Sequence, residues 1–475
     1  MTVDSLRVAF AFSPPHDVPV GRLALDGNTA IFEYAESFAH SRLALNPVFA
    51  PIVPGLVRPR DPRTFRGLHG VFADSLPDAW GRLLLERQLR RERIAITELT
   101  VLDRLALIGR RGRGALVYEP ASVPLAGDRS VDIDELAQQS AEVLAGEAGV
   151  LLGELERLGG SSGGARPKVQ VALDDSGRAR SADEELPPGF TSWIVKFHGT
   201  VDRFADIGPL EAAYAEAARQ AGIDMPRTRL IPARSGPGYF ATERFDRAPH
   251  ERRLHMLSIA GMLDADWSIP SLDYDGVIEA VRAATRDERA VHEMFRRMVF
   301  NVLAHNRDDH AKQHALLLGP EGGWRLSPAF DLTFSAGPGN VHYLAVNGRG
   351  NDITRPDLLA VAKRQSIAIR RANATIDEVA AAVAALPSIA RRLGVTRASL
   401  AEMKRASSEQ LALAGYRGSP SRSYLPSTQT RSTASRGDRR AIIFGEPLGP
   451  AGSGRVRSSR SRSETMMASA GVSPV

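Results

Sequence analysis

The sequence predicts an α+β protein, and three observations predict it. β-type alternation and hairpin signals crowd the first 250 residues. Amphipathic helical spacing dominates residues 255–415, and residues 418–475 carry neither pattern. The segments expected from this order are 1–130, 131–247, 248–417 and 418–475.

The first segment opens with strand patterns around a turn, VGRLALDGNTAIFEY, where Asp26-Gly27-Asn28 is a hairpin signal. A helix follows in SLPDAWGRLLLERQLRR. Ser75 is placed to cap it, Pro77 falls in its first turn, and Trp80, Leu83, Leu84 and Arg87 follow helical spacing. The second segment alternates glycine-rich loops, β-type runs and one helix. In the third, the clearest helix is 294–304, where Phe295, Met298, Val299, Val302 and Leu303 form one apolar stripe. Another helix is expected to begin at TIDE, with Thr375 and Glu378 as a capping box. Residues 418–475, rich in Ser, Arg, Gly and Pro, are expected to be disordered, because they cannot bury enough surface to offset ordering entropy.

Composition narrows the function. The 475 residues are 43% hydrophobic and 24% charged, which excludes full disorder and collagen-like structure. There is no cysteine, hence no disulfide scaffold, cysteine nucleophile, thiolate metal site or iron–sulfur cluster. No apolar run reaches the roughly 18 residues of a membrane span, and MTVDSLRVAFAFSPP lacks a signal-peptide core. A cytoplasmic protein without a membrane partner is expected. The net charge of +6 is misleading. Residues 418–475 hold nine arginines and three acids, leaving the preceding residues balanced at 52 basic and 52 acidic. The body therefore carries no excess charge that would mark it as a polyanion binder.

Four segments carry the chemistry, and their order carries more than any one alone. GGSSGGARPK (159–168) has glycines that free the backbone to bring its N–H groups to phosphate oxygens, with Lys168 entering the next strand. SWIVKFHG (192–199) alternates like a strand, with Lys196 set in an apolar run. GYFATERFDR (238–247) is a strand leading into charged residues. HNRDDHAKQHALLLGPEGGWRLSPAFDLTFS (305–335) is a polar loop, a hairpin and then Asp331. The hairpin folds the chain back, so Asp308 and Asp331 should lie near each other at one end of it. Two carboxylates so placed, with the Gln313 amide five residues after the first, suit Mg²⁺ and a nucleophile to be oriented. Protein kinases use the same parts in the same order.

These motifs, with GVFADSLPDAWGRLLLER and LIGRRGRGALVYEP upstream, resemble the HipA family of serine/threonine kinases, toxins of type II toxin–antitoxin systems. The resemblance runs from about residue 18 to about residue 415. It implies a two-lobed kinase-like fold, distantly akin to lipid kinases, with an N-terminal β-containing subdomain and a mostly helical C-terminal lobe. It implies ATP and Mg²⁺ as cofactors. Lys196 would bind phosphate, and Ser161, Ser162, Gly163, Gly164 and Lys168 would surround the nucleotide. Glu243 and Phe245 would form the hinge whose backbone meets adenine. Asp308 would be the catalytic aspartate, with His310 and Lys312 beside the phosphates. Asp331 would hold the metal together with Gln313, where the family commonly has asparagine. Ser161 matches the serine whose autophosphorylation switches such kinases off. The implied partners are a HipB-like helix-turn-helix antitoxin, operator DNA through that complex, and a protein substrate such as an aminoacyl-tRNA synthetase, whose modification arrests growth.

Two other classes fit parts of the pattern. A metal-dependent phosphohydrolase would use His305, Asp308, Asp309, His310 and His314, because imidazole with carboxylate suits transition metals. A pseudokinase, or a module that binds DNA or a partner, would keep the fold and lose transfer, and Gln313 is the residue that admits it.

Overall fold

The computed structural model describes residues 3–48, 52–122, 127–146, 152–159, 164–181, 186–199, 202–248 and 252–416. Residues 1–419 form one compact unit, and the segment expected to be disordered, 418–475, lies outside the described residues.

The first sheet is antiparallel throughout and runs β4-β3-β2-β1-β5. Its strands are β1 (Ser5–Ser13), β2 (His16–Asp26), β3 (Thr29–Tyr34), β4 (Leu56–Val57) and β5 (Leu116–Glu119). The expected hairpin is there: Asp26 pairs with Thr29 across Gly27 and Asn28, and Gly27 adopts φ +60°. A two-residue turn needs that positive φ to match the strand twist.

The second sheet runs β10-β11-β9-β7-β8-β6. It comprises β6 (Arg129–Val131), β7 (Lys168–Leu173), β8 (Ala179–Ser181), β9 (Thr191–Lys196), β10 (Thr228–Ile231) and β11 (Tyr239–Glu243). In β9, Trp193 and Val195 are fully buried on one face. Period-two geometry turns Lys196 to the other face, at the strand end. A short ribbon, β12 (Arg247–Ala248) with β13 (Arg252–Arg253), precedes a three-stranded sheet of β14 (His255–Ser258), β15 (Ala315–Leu318) and β16 (Trp324–Leu326). The hairpin expected from HALLLGPEGGWRL is therefore completed by a third strand just upstream of the helical region.

The apolar cores do not follow chain order. One cluster joins the first sheet to the helical lobe, from Phe10, Phe32 and Phe72 through Phe295 and Met298 to Val383. A second, smaller cluster sits on the second sheet around Trp193 and Val195. Trp80 and Leu84, from the helix Ala79–Arg91, belong to that second cluster. The helix Ile207–Gln220 packs on the second sheet through β11 and on the long helix Ile369–Arg392 of the lobe below.

The 294–304 stripe lies in the helix Glu288–Leu303, and all five of its named residues are buried. Two caps differ from expectation. The helix after SLPD starts at Ala79 with Asp78 as N-cap, while Ser75 hydrogen-bonds the Tyr118 hydroxyl at 2.7 Å. The TIDE helix starts at Ile369, so Thr375 is a buried interior residue and not a cap. Arg355 ties the following turns of this helix to the preceding one, reaching Asn373 at 3.1 Å and pairing with Asp377.

Candidate active site

The site forms where the second sheet faces the β15–β16 hairpin. At the end of β9, Lys196 is 8% exposed, and its ammonium lies 2.7 Å from Glu211 on the helix Ile207–Gln220. The same ammonium bonds Asp331, which follows the hairpin. A buried lysine is tolerable only with such partners. Glu211 is also paired with Arg166, which reaches Asp202 at 2.7 Å.

Asp331 sits at φ +57°, a left-handed conformation that non-glycine residues rarely adopt. Its two oxygens are both engaged, one by Lys196 and the other by the Gln313 amide at 2.7 Å. Burial alone would raise its carboxyl. The charges of Lys196, Lys168 and Arg166 outweigh that and hold it well below the usual carboxylate range.

Asp308 is opposite in character. Its side chain is 48% exposed, yet desolvation in the cleft and the carboxylates of Asp331 and Asp309 push it up to about 7. The expected proximity of Asp308 to Asp331 thus appears as repulsion, the Asp331 charge helping to raise the Asp308 carboxyl. His310 stands 3.9 Å from Asp308, with its ring 5.0 Å from that of Trp267. Lys312 is buried, ion-paired with Asp78, and its Nζ lies 5.3 Å from the centroid of the Trp267 ring.

Lys168 starts β7 and is buried, and burial lowers its ammonium to about 7. A Cβ built on Gly164 would stand 2.6 Å from the Lys168 nitrogen, and Gly164 has φ +87°. The lysine end could shift to make room, so it is the positive φ that favours glycine at this turn. Ser161, Ser162 and Gly163 lie outside the described residues.

The ERFDR segment divides its labour. Glu243 ends β11; its side chain pairs with Arg227 at 2.6 Å and its N–H donates to the Arg227 carbonyl. The Arg244 N–H donates to Ser192, so neither amide is turned outward. Phe245 follows in the turn, its ring 5.6 Å from that of Phe330. Asp246 is buried between Arg244 and Arg247 and accepts the Gly114 N–H at 2.7 Å. Arg247 in turn donates to the carbonyls of Gly112 and Gly114, both at 2.9 Å. Half of the motif is thus a clamp on the RRGRG loop of the first segment.

The phosphohydrolase set does not assemble. Asp309 is buried and committed to Tyr274, His342 and the Tyr343 N–H, and His305 stacks on Phe334. Among the described residues no group of three or more His, Asp or Glu is arranged to hold a metal. A cavity of about 410 Å³ opens elsewhere, between the β2–β3 turn, Arg66 and Arg104, and no predicted site residue lines it.

Sequence reasoning missed Glu211, Arg166 and Asp78. Arg166 stood inside the quoted glycine-rich motif. An acid on the helix after the lysine strand would have pointed to Glu211, because kinases pair that lysine with a helix glutamate. Asp78 gave no signal beyond its place at a helix start.

A sheet lobe with a buried lysine–glutamate pair, facing a helical lobe that carries paired aspartates around a hairpin, is a kinase-like fold. Residues 15–119 match the HipA N-terminal domain and residues 160–386 the HipA-like C-terminal domain, so the chain belongs to the HipA family. HipA from Shewanella oneidensis MR-1, solved with HipB and its operator DNA, superposes with a TM-score of 0.63 over 86% of this chain and 96% of that one, at 17% identity. A curated relative, "Putative kinase Y4dM" of Sinorhizobium fredii, is 30% identical over 159 residues. That match spans 30% of this chain and 37% of the relative's length. Among the described residues no helix is long and apolar enough to cross a membrane.

Proposed function

We propose that the chain is an ATP- and Mg²⁺-dependent serine/threonine protein kinase acting as the growth-arresting toxin of a toxin–antitoxin pair. The observation that carries this reading is Lys196, buried between Glu211 and Asp331 in the cleft that also holds Asp308. The donor set suits the cofactors. Asp331 and the Gln313 amide offer hard oxygen ligands for Mg²⁺, and Lys168, Lys196 and Lys312 supply cations for phosphates. When bound, Mg²⁺ would neutralise phosphate charge that the lysines alone do not offset.

Each side chain then has one task. Lys196, fixed by Glu211, orients the phosphates. Gly164 and Lys168 cover them from the loop side. Asp308, with its raised carboxyl, orients an acceptor hydroxyl and takes up its proton. Lys312 and His310 face the transferred group. Adenine would rest at the end of β11, where Phe245 is the better hinge candidate, since the Glu243 amide is already engaged. Catalysis of this kind is positioning plus electrostatics.

The neighbour solved with HipB and operator DNA supports an antitoxin and operator DNA as partners; the helix-turn-helix of that antitoxin is what the resemblance implies, and a cytoplasmic location is what the sequence leads us to expect. An aminoacyl-tRNA synthetase is the substrate class the resemblance favours, and Ser161 is the proposed self-inactivating phosphosite. The test is calorimetric titration with Mg-ATP beside transfer of labelled phosphate. Wild-type protein should bind and transfer, and Asp331→Ala should lose binding. Binding without transfer would make the chain a pseudokinase. Unchanged nucleotide binding in Asp331→Ala would refute the site.

A further inference from the structure

The glycine-rich turn and the catalytic loop are joined by a residue that belongs to neither. Asp78 precedes the helix Ala79–Arg91 in the first segment, and its side chain is 10% exposed. One carboxylate oxygen accepts the Gly164 N–H at 2.7 Å, and the other takes the Lys312 ammonium. The Trp80 N–H donates to the Gly164 carbonyl at 3.2 Å, so both polar groups of Gly164 face this one turn. Arg113 approaches the same carboxylate at 4.0 Å. An N-cap aspartate ordinarily serves the N–H groups of its own helix. Asp78 makes no such bond and reaches partners 86 and 234 residues away.

We propose that Asp78 is a positioning residue for phosphoryl transfer. It fixes the Gly164 turn and the Lys312 ammonium relative to each other, so the first segment completes a site whose reacting groups lie elsewhere. This rests on the kinase reading above. A carboxylate would repel a phosphate, so Asp78 acts through its two partners and not by touching the nucleotide. Its distinct oxygens separate two tasks. The bond to Gly164 sets where that turn stands against the nucleotide, and the ion pair with Lys312 sets where that ammonium stands during transfer.

The test uses the full chain and the variants Asp78→Asn, Asp78→Ala and Asp78→Glu. It measures the dissociation constant of a non-hydrolysable Mg-ATP analogue, kcat and KM for phosphate transfer, and the melting temperature. Asp78→Asn keeps an acceptor for Gly164 and loses the charge facing Lys312. It should hold nucleotide affinity within about threefold while kcat falls about tenfold or more, the scale of one charged hydrogen bond. Asp78→Ala loses both contacts and should also weaken nucleotide binding by about tenfold. Asp78→Glu should recover part of the kcat lost in Asp78→Asn. Should Asp78→Ala fail to fold, the near-isosteric Asn variant carries the test alone. Wild-type kcat in folded Asp78→Asn, or a drop in melting temperature with kcat unchanged, would overturn the proposal and leave the kinase reading intact. A wild-type chain that binds no nucleotide would overturn that reading first, and this one with it.

Discussion

Asp308 and Asp331 share a cleft yet are driven in opposite directions, one up to about 7 and the other well below the carboxylate range. Such a split fits the roles proposed above: the carboxylate held ionised suits a cation, and the raised one suits a proton. It also sets a stability test. A carboxyl raised by folding binds its proton more tightly in the native state, so stability declines as pH rises from about 4 to about 7. Asp308→Asn should remove that decline. The variant should melt higher than wild type at pH 8 and near it at pH 4 in metal-free buffer, and it should lose phosphate transfer. A lower melting temperature at pH 8 would contradict the raised carboxyl. Gln313 is tested separately: Gln313→Asn should keep or raise transfer, and Gln313→Leu should lower it strongly in the same assay. The proximity of Asp308 and Gln313 to Asp331 was legible because the intervening hairpin folds the chain back. Glu211 and Asp78 were not, since their roles depend on how a helix and a distant turn dock, which spacing along the chain does not record.

At the scale of elements, the strands around the site were legible from alternation, and helix starts were less so. Ser75 and Thr375 each had a capping sequence nearby, but Ser75 is committed to the Tyr118 hydroxyl and the second helix already runs from Ile369, six residues before Thr375. The ERFDR turn shows the same limit. Charged residues at a strand end are ordinarily solvated, and here the fold buries Arg244 and Asp246, with Arg247 paired to Asp246, as a clamp. The Arg244 and Arg247 guanidinium groups overcome the burial of Asp246 and hold its carboxyl below the usual range. Removing one partner of a buried pair costs about 3–5 kcal/mol, so Asp246→Ala should destabilise the fold by about that much in urea titration. The wild-type contribution is full above about pH 4 and is lost as pH falls below it, because the folded carboxyl stays ionised where the unfolded one protonates. A loss under about 1 kcal/mol would show that Arg244 and Arg247 find other partners.

For the whole molecule, the three described segments close around two cores, and the first segment contributes to both. Chain order suggested successive domains. The pairing of the first sheet with the helical lobe could not be read, because no local pattern names the partner of an apolar face. The last described helix, Arg397–Leu413, is anchored by Met403 and Leu411 in the larger core, with Tyr416 packed against it. A chain ending at Tyr416 should therefore unfold as cooperatively as the full chain, with nucleotide binding unchanged and an isoelectric point near neutrality. Loss of cooperativity on truncation would show that residues 418–475 dock.

The contact between Lys196 and Asp331 joins strand β9 on one side of the cleft to the hairpin on the other. Any anion that approaches Lys196 competes with a carboxylate of the same chain. Ligand entry is then an exchange of counterions, and its free energy is a difference between two ion pairs and not the strength of one. Added salt weakens the internal and the incoming pair together, so equilibrium affinity should respond to ionic strength less than the density of charge implies. The entry rate should instead track how often the internal pair opens.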